Sequence, residues 1–336
     1  MNPLKSVFSH IAGAFKVPKP YNWGYPVFFG SLGIGFSFLL LKLMFSGAFQ
    51  FSSTSLIGCA VSVLVIVMFA FVVPSVLIGE KSGVCITGHY TGIGALILAF
   101  LSGAPIYLLK SSLHNIISTF WLRAGGTVTF PAVFYHVEGI SGQLLSLEIL
   151  IDTIIPAFGF SLFFLGAVWQ GFSDKNRRWA FFFIPLFFAA FSFDFLDLAA
   201  IIIIGWWLCI VRDRTGNIYG PILSLLGARV TGILIDSVVS EVDLTTVRVY
   251  SDIPTTIYFS AVPAIIVAVI LMAFFNKTLG EFHNSYSNTI YGDSKKLEEG
   301  EGEKAESVLA GFNVTFLLGV LILMALWILL MKGVRL

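Results

Sequence analysis

Asp194 and Asp197 are the residues of this sequence best placed to do chemistry. They are two carboxylates bracketing the turn Asp194-Phe195-Leu196-Asp197, with long apolar runs on both sides. Paired aspartates can share a proton and activate water. Asp152, Asp236 and Arg229 also stand in apolar surroundings. An ionisable group at bilayer depth is costly unless paired, so each of the five is a candidate for a structural or functional role. Arg229 has two readings. It pairs with Asp194 or Asp197 across the interior, or it snorkels to the membrane surface while the aspartates are solvated there. The histidines (His10, His89, His114, His136, His283) are scattered, and Cys59, Cys85 and Cys209 show no paired spacing. There is no P-loop, no His-Glu-x-x-His, no Gly-x-Ser-x-Gly and no dinucleotide fingerprint, so neither a metal nor a cofactor is expected.

The elements that must hold these charges are membrane helices. The chain is 57% hydrophobic and 12% charged, with mean hydropathy +0.91, against roughly 45–50% apolar and about 25% charged in a soluble domain. A chain of 336 residues this apolar takes lipid as its solvent. A span needs about 20 apolar residues, because every backbone polar group must be satisfied inside it. That template predicts an all-α polytopic membrane protein with about nine transmembrane helices, near 27–46, 55–79, 91–110, 143–170, 179–194, 196–211, 217–236, 255–275 and 308–331. The fifth and sixth are short, which places the turn at 194–197 within the membrane.

Basic residues cluster in alternate loops (Lys81, Arg177, Arg178, Arg212, Arg214 and Lys277 against Lys110, Arg123 and Arg248), which predicts a cytoplasmic N-terminus in a multi-pass protein. The chain divides into a cytoplasmic tail (1–22), a membrane domain (23–275), a charged flexible inner loop (276–307) and a last helix with a short tail (308–336). The aromatic-rich outer loop 111–142 and the long inner loop 276–307 offer places for a partner to dock. A net charge of +1 gives no sign of a nucleic-acid partner. The expected partners are the lipid bilayer and another membrane or surface protein, with the oligomeric state left open.

The stretch from 156 to 232, within a core at about 143–236, resembles the CPBP family of membrane proteins, which includes CAAX prenyl proteases and bacteriocin-processing (Abi-type) enzymes. The segment Arg214-Thr-Gly-Asn-Ile-Tyr-Gly-Pro-Ile-Leu-Ser-Leu-Leu-Gly-Ala-Arg229 is similar to the family's third motif, in which such a turn enters a helix carrying His and, four residues on, Asn or Asp. Pro156, Gly166, Gly205, Thr215, Gly216 and Pro221 fit the scaffold. The catalytic positions do not fit. Phe160 and Ser161 replace the family's Glu pair and Leu165 its arginine. Phe193 or Asp194 stands where the second motif has His, and Leu225 and Arg229 replace the last His and Asn.

The family's chemistry has glutamate activate water while histidine and asparagine support the polarised carbonyl. Phe and Leu can neither take that proton nor stabilise an oxyanion. The resemblance therefore implies a CPBP scaffold without its active site: a scaffold, assembly or regulatory subunit for a partner protein or a lipidated or peptide ligand. Two other classes stay open. One is a subunit of a transporter or channel, and the other is an intramembrane protease using relocated aspartates.

Overall fold

The computed structural model describes residues 22–45, 56–82, 87–88, 92–125, 149–172, 177–235, 242, 253, 255–290 and 311–331. Apart from one isolated β-bridge between Gly88 and Asn217, the regular structure among them is helical. The helices are α1 (Gly24–Leu43), α2 (Leu56–Ile66), α3 (Val73–Ser82), α4 (Ile93–Leu101), α5 (Gly103–Arg123), α6 (Ile155–Leu162), α7 (Arg177–Ser192), α8 (Leu198–Thr215), α9 (Tyr219–Ile235), α10 (Thr255–Ile290) and α11 (Val314–Met331). Wide π-helical turns at Val67–Val72, Leu150–Ile154 and Phe163–Val168 carry one helix into the next. Joined in this way, the described residues form nine rods that follow the nine predicted spans.

Four of the described helices are long and apolar enough to cross a membrane: Gly24–Leu43, Ala60–Gly79, Ile93–Arg123 and Phe259–Phe282. Their outward faces are unlike those of a water-soluble protein. Phe259 is 80% exposed and Leu234 74%, an arrangement that hydrocarbon solvates and water does not. The molecule is an all-α polytopic membrane protein.

Two rods differ from the predicted spans. The third runs on to Arg123 rather than ending at 110. The polar residues after Leu109 were read as a loop, but Ser111, Ser112, Asn115 and Ser118 form one buried helical face. The eighth, predicted to stop at 275, continues to Ile290, so the first part of the inner loop is helical. The tail 1–21 and the stretches 126–148, 236–241, 243–252 and 291–310 lie outside the described residues.

Packing joins elements distant in sequence. α10 lies along α5, α8 against α7, α11 against α1, and α9 against α4 and α5. At the start of α1, Trp23 stacks on Phe183 (centroids 5.1 Å apart) and takes the edges of Phe312 (4.9 Å) and Phe316 (5.0 Å). Such rings bury large areas, and each pair adds about 0.5–1.5 kcal/mol beyond burial. The core residues Phe71, Phe163, Phe164 and Phe191 continue this packing through the middle of the bundle.

Candidate functional site

The turn between α8 and α9 is built from its sequence. α8 ends because Gly216 takes a left-handed backbone (φ 70°), and its N–H donates to Arg212 O at 2.9 Å. Only glycine adopts that conformation without a steric penalty. Thr215 Oγ1 donates to Val211 O (2.7 Å), and Asn217 Oδ1 accepts from Gly220 N–H (3.1 Å), closing the first turn of α9. Ile218 N–H donates to Thr87 O (3.0 Å), which ties the turn to the chain beyond α3. Upstream, Gly205 lets α7 and α8 approach closely: a Cβ there would lie 3.0 Å from Pro185 Cα.

Phe160, Ser161 and Leu165 come together around one small space between α6 and its π-helical extension, α7 and α8. The cavity is about 10 Å³, and Phe164, Ile184, Phe188, Gly205 and Leu208 complete its wall. That is about the room one water molecule needs. The rings close it, with Phe160 and Phe188 5.1 Å apart and Phe164 and Phe188 5.5 Å apart. Ser161 Oγ is the only side-chain polar atom in this wall, buried and without a hydrogen-bond partner in the structure. A water there would find too few polar contacts to be held.

The remaining motif positions are occupied in the same spirit. Phe193 ends the α7 region with φ 53°, a conformation that costs a non-glycine residue about 1–3 kcal/mol. Its buried ring lies between Phe38 (5.7 Å) and Trp327 (5.4 Å), and this packing holds the strained backbone. Leu225 packs half-buried on the core from α9, and Arg229 stands four residues further along that helix.

One residue the sequence reading placed at the surface is part of the interior. Arg212 is 3% exposed, and its Nε donates to Leu165 O at 2.9 Å. Leu165 lies in the wide turn Phe163–Val168, where the i→i+5 pattern disturbs the ordinary helical ladder and leaves a carbonyl accessible. Arg212 therefore reaches the backbone of Leu165, whose side chain lines the cavity. Its position one helical turn before Gly216 was the available signal, but hydropathy assigned it to a loop.

The aspartates assemble elsewhere. Asp197 Oδ1 lies 2.7 Å from His114 Nδ1, and Lys110 Nζ is 3.8 Å from Asp197 Oδ2. Asp194 Oδ1 accepts the Asp197 N–H (3.2 Å), so one carboxylate shapes the α7–α8 turn while the other takes the ion pair. The predicted pairing of Arg229 with Asp194 or Asp197 is not what the structure has. The groups acting on both aspartates are the Lys110 ammonium and the His114 imidazole. The physical reason is the length of α5, which carries His114 past residue 110, where its span was expected to end. Asp152 lies in the wide turn Leu150–Ile154, away from this pair in the sequence, and Asp236 lies outside the described residues.

Residues 142–227 match the family model described as type II CAAX prenyl endopeptidase Rce1-like. No curated protein and no solved structure matches the chain.

Proposed function

From an Rce1-like, CPBP-type core at residues 142–227, we propose that this protein is a non-catalytic member of that group of membrane proteins. It acts as a scaffold, assembly or regulatory subunit for a partner protein or a lipidated or peptide ligand. One observation carries this reading: the replaced catalytic positions Phe160, Ser161 and Leu165 meet around a cavity of about 10 Å³ with no carboxylate and no imidazole in its wall. Hydrolysis needs a base within hydrogen-bond reach of water and donors for the developing oxyanion. Phenylalanine rings supply neither, and they occupy the volume that a scissile bond would need.

The helices around that core still provide extensive apolar surface, and a fold suited to holding a peptide or prenyl chain remains a binder when its chemistry is gone. The excess of basic residues on one side supports placing the protein in the cell membrane with a cytoplasmic N-terminus. The protein, purified in mild detergent and reconstituted, should leave a prenylated CAAX peptide uncleaved while retaining a stoichiometric partner from its native membrane. Measurable cleavage that disappears on changing Phe160 or Leu165 would defeat the reading.

A protease with relocated aspartates is the second reading, favoured by the contact of His114 with Asp197. Both members are already committed. The imidazole's other nitrogen faces Val242 O at 3.3 Å, and Asp194 is engaged by the Asp197 backbone. Asp152→Asn, Asp194→Asn and Asp197→Asn, assayed on the same peptide, separate this reading from the first. Flux through reconstituted vesicles tests the transporter or channel alternative.

A further inference from the structure

Three helices of this bundle begin side by side. α1, α7 and α11 open the first, fifth and ninth rods, so their N-terminal ends lie on one face of the membrane. Aromatic rings tie these ends together. Trp23 stacks on Phe183 (5.1 Å) and meets Phe312 edge-on (4.9 Å), Phe183 meets Phe312 (5.5 Å), and Trp179 stacks on Phe183 (6.0 Å). Asn313 Nδ2, just before α11, lies 3.5 Å from Asn22 Oδ1, just before α1.

A helix start carries N–H groups without intrahelical acceptors and the positive pole of the helix dipole, about half a charge. An acidic residue in the first turn offsets that pole, and none of these three helices has one. Asn22 Oδ1 accepts Gly24 N–H (3.2 Å) and Asn313 Oδ1 accepts Phe316 N–H (2.8 Å), one donor for each helix. α7 opens instead with Arg177 and Arg178, at the end where the dipole repels cations. The stretch Asp174-Lys175-Asn176-Arg177-Arg178 sets three cations against one carboxylate, and residues 1–22 carry Lys5, Lys16 and Lys19 with no acidic residue. Positive charge accumulates where the dipoles already supply it, an arrangement that a bound anion stabilises.

Side chains at this place point to the kind of anion. Trp23 is 2% exposed, and its indole N–H has no hydrogen-bond partner in the structure. Its Nε1 is turned to Gly311, in the turn just before α11, so a buried donor stands at the junction of two helix starts. The Arg177 guanidinium is held over the Trp169 ring, 5.8 Å from its centroid, which fixes the side chain in place. Further along α7, Trp179 (50% exposed), Phe182 (58%) and Leu186 (39%) form an outward stripe at helical spacing. Cations therefore stand at the end of the helix, a tryptophan stands beside them, and apolar side chains follow. A phospholipid has the same order, with phosphate, interface and hydrocarbon in turn.

We propose that the joined N-terminal ends of α1, α7 and α11 bind the headgroup of an anionic phospholipid. Arg177 and Arg178 take its phosphate, since guanidinium forks match phosphate oxygens two at a time. The Trp23 indole N–H adds a donor from the α1 side, and an acyl chain lies along Trp179, Phe182 and Leu186. The chain's own acidic run, Glu298 to Glu306, is the competing occupant. The apolar stripe next to the arginines favours the lipid, because a run of glutamates has nothing to lay on it. This inference does not depend on whether the core is catalytic.

The test uses the full chain in mild detergent, titrated with phosphatidylglycerol or phosphatidylcholine, with retained lipid counted by native mass spectrometry. Phosphatidylglycerol should be held about tenfold more tightly than phosphatidylcholine. Arg177→Gln combined with Arg178→Gln should weaken phosphatidylglycerol by about tenfold or more and leave phosphatidylcholine unchanged. Trp23→Phe keeps the ring and removes only the donor. It should weaken phosphatidylglycerol by about threefold to tenfold, and it carries the test if the double variant does not fold. Lys277→Gln, near the end of the eighth rod on the same face, should change nothing. Equal retention of the two lipids, unchanged retention in the folded site variants, or an equal loss in Lys277→Gln would overturn the proposal. So would phosphatidylglycerol binding that emerges only after Glu298, Glu299, Glu301, Glu303 and Glu306 are changed to Gln, since the acidic run would then be the occupant.

Discussion

The cavity at Phe160–Leu165 and the charged cluster at Asp197 are opposites. The first lies where the family resemblance places its reacting groups, and rings leave it only about 10 Å³ of space and no ionisable group. The second has a carboxylate, an imidazole and an ammonium within about 4 Å, the groups without a place, since each is occupied by a neighbour. Chemistry needs ionisable groups converging on unfilled space. Here neither region meets both requirements: the first lacks the groups, and the second holds its groups against one another. Buried charge is therefore no sign of catalysis by itself: the cluster joins α5 to the α7–α8 turn and shapes that turn.

The contrast is most sharply broken at its polar end. Asp197→Ala leaves the buried His114 Nδ1 and the partly exposed Lys110 without the carboxylate they share, and removing one partner of a buried polar pair costs about 3–5 kcal/mol. Thermal unfolding in detergent should show it as the largest loss among these variants, with no effect traceable to catalysis. At the apolar end, Phe164→Ala removes a ring that is 1% exposed, which carries a cost of about 3–4 kcal/mol. It enlarges the cavity, and the same melting measurement together with a peptide-cleavage assay should show lost stability and no gained hydrolysis.

Gly216→Ala tests the turn between α8 and α9. At φ 70° an added Cβ should cost about 1–2 kcal/mol, a lower melting temperature that glycine at the same position restores. The smallest coupling is expected between Arg229→Leu and Asp197→Asn, whose effects should add within about 0.5 kcal/mol. A coupling above about 1 kcal/mol in that double-mutant cycle would restore the pairing of Arg229 with the α7–α8 turn.

Hydropathy located the helical rods well because membrane insertion imposes a simple rule on the chain: long apolar runs must be helical. The rule failed where a helix carries polar residues on a face that other helices cover. At Ser111, Ser112, Asn115 and Ser118 a window average reads a loop, while burial of that face keeps the helix intact to Arg123. The same averaging ended the eighth span at the polar residues Asn276, Lys277 and Thr278, although the helix goes on to Ile290. In the candidate site, the absence of a carboxylate at Phe160, Ser161 and Leu165 was readable because residue type is a local fact. That these residues surround one filled cavity was not readable, since it depends on how α7 and α8 close over α6.

What the sequence determined by itself is the solvent, the helical class, the turn at Thr215-Gly216-Asn217 and the apolar character of positions 160 and 165. Each follows from residue type and near-neighbour spacing. Tertiary structure decided the partners of the charges. Asp197 and His114 are 83 positions apart, and their contact exists because α5 continues far enough for its imidazole to reach the start of α8. Ion pairing falls off over a few ångströms, so only the packing of whole helices could select which cation the carboxylate meets.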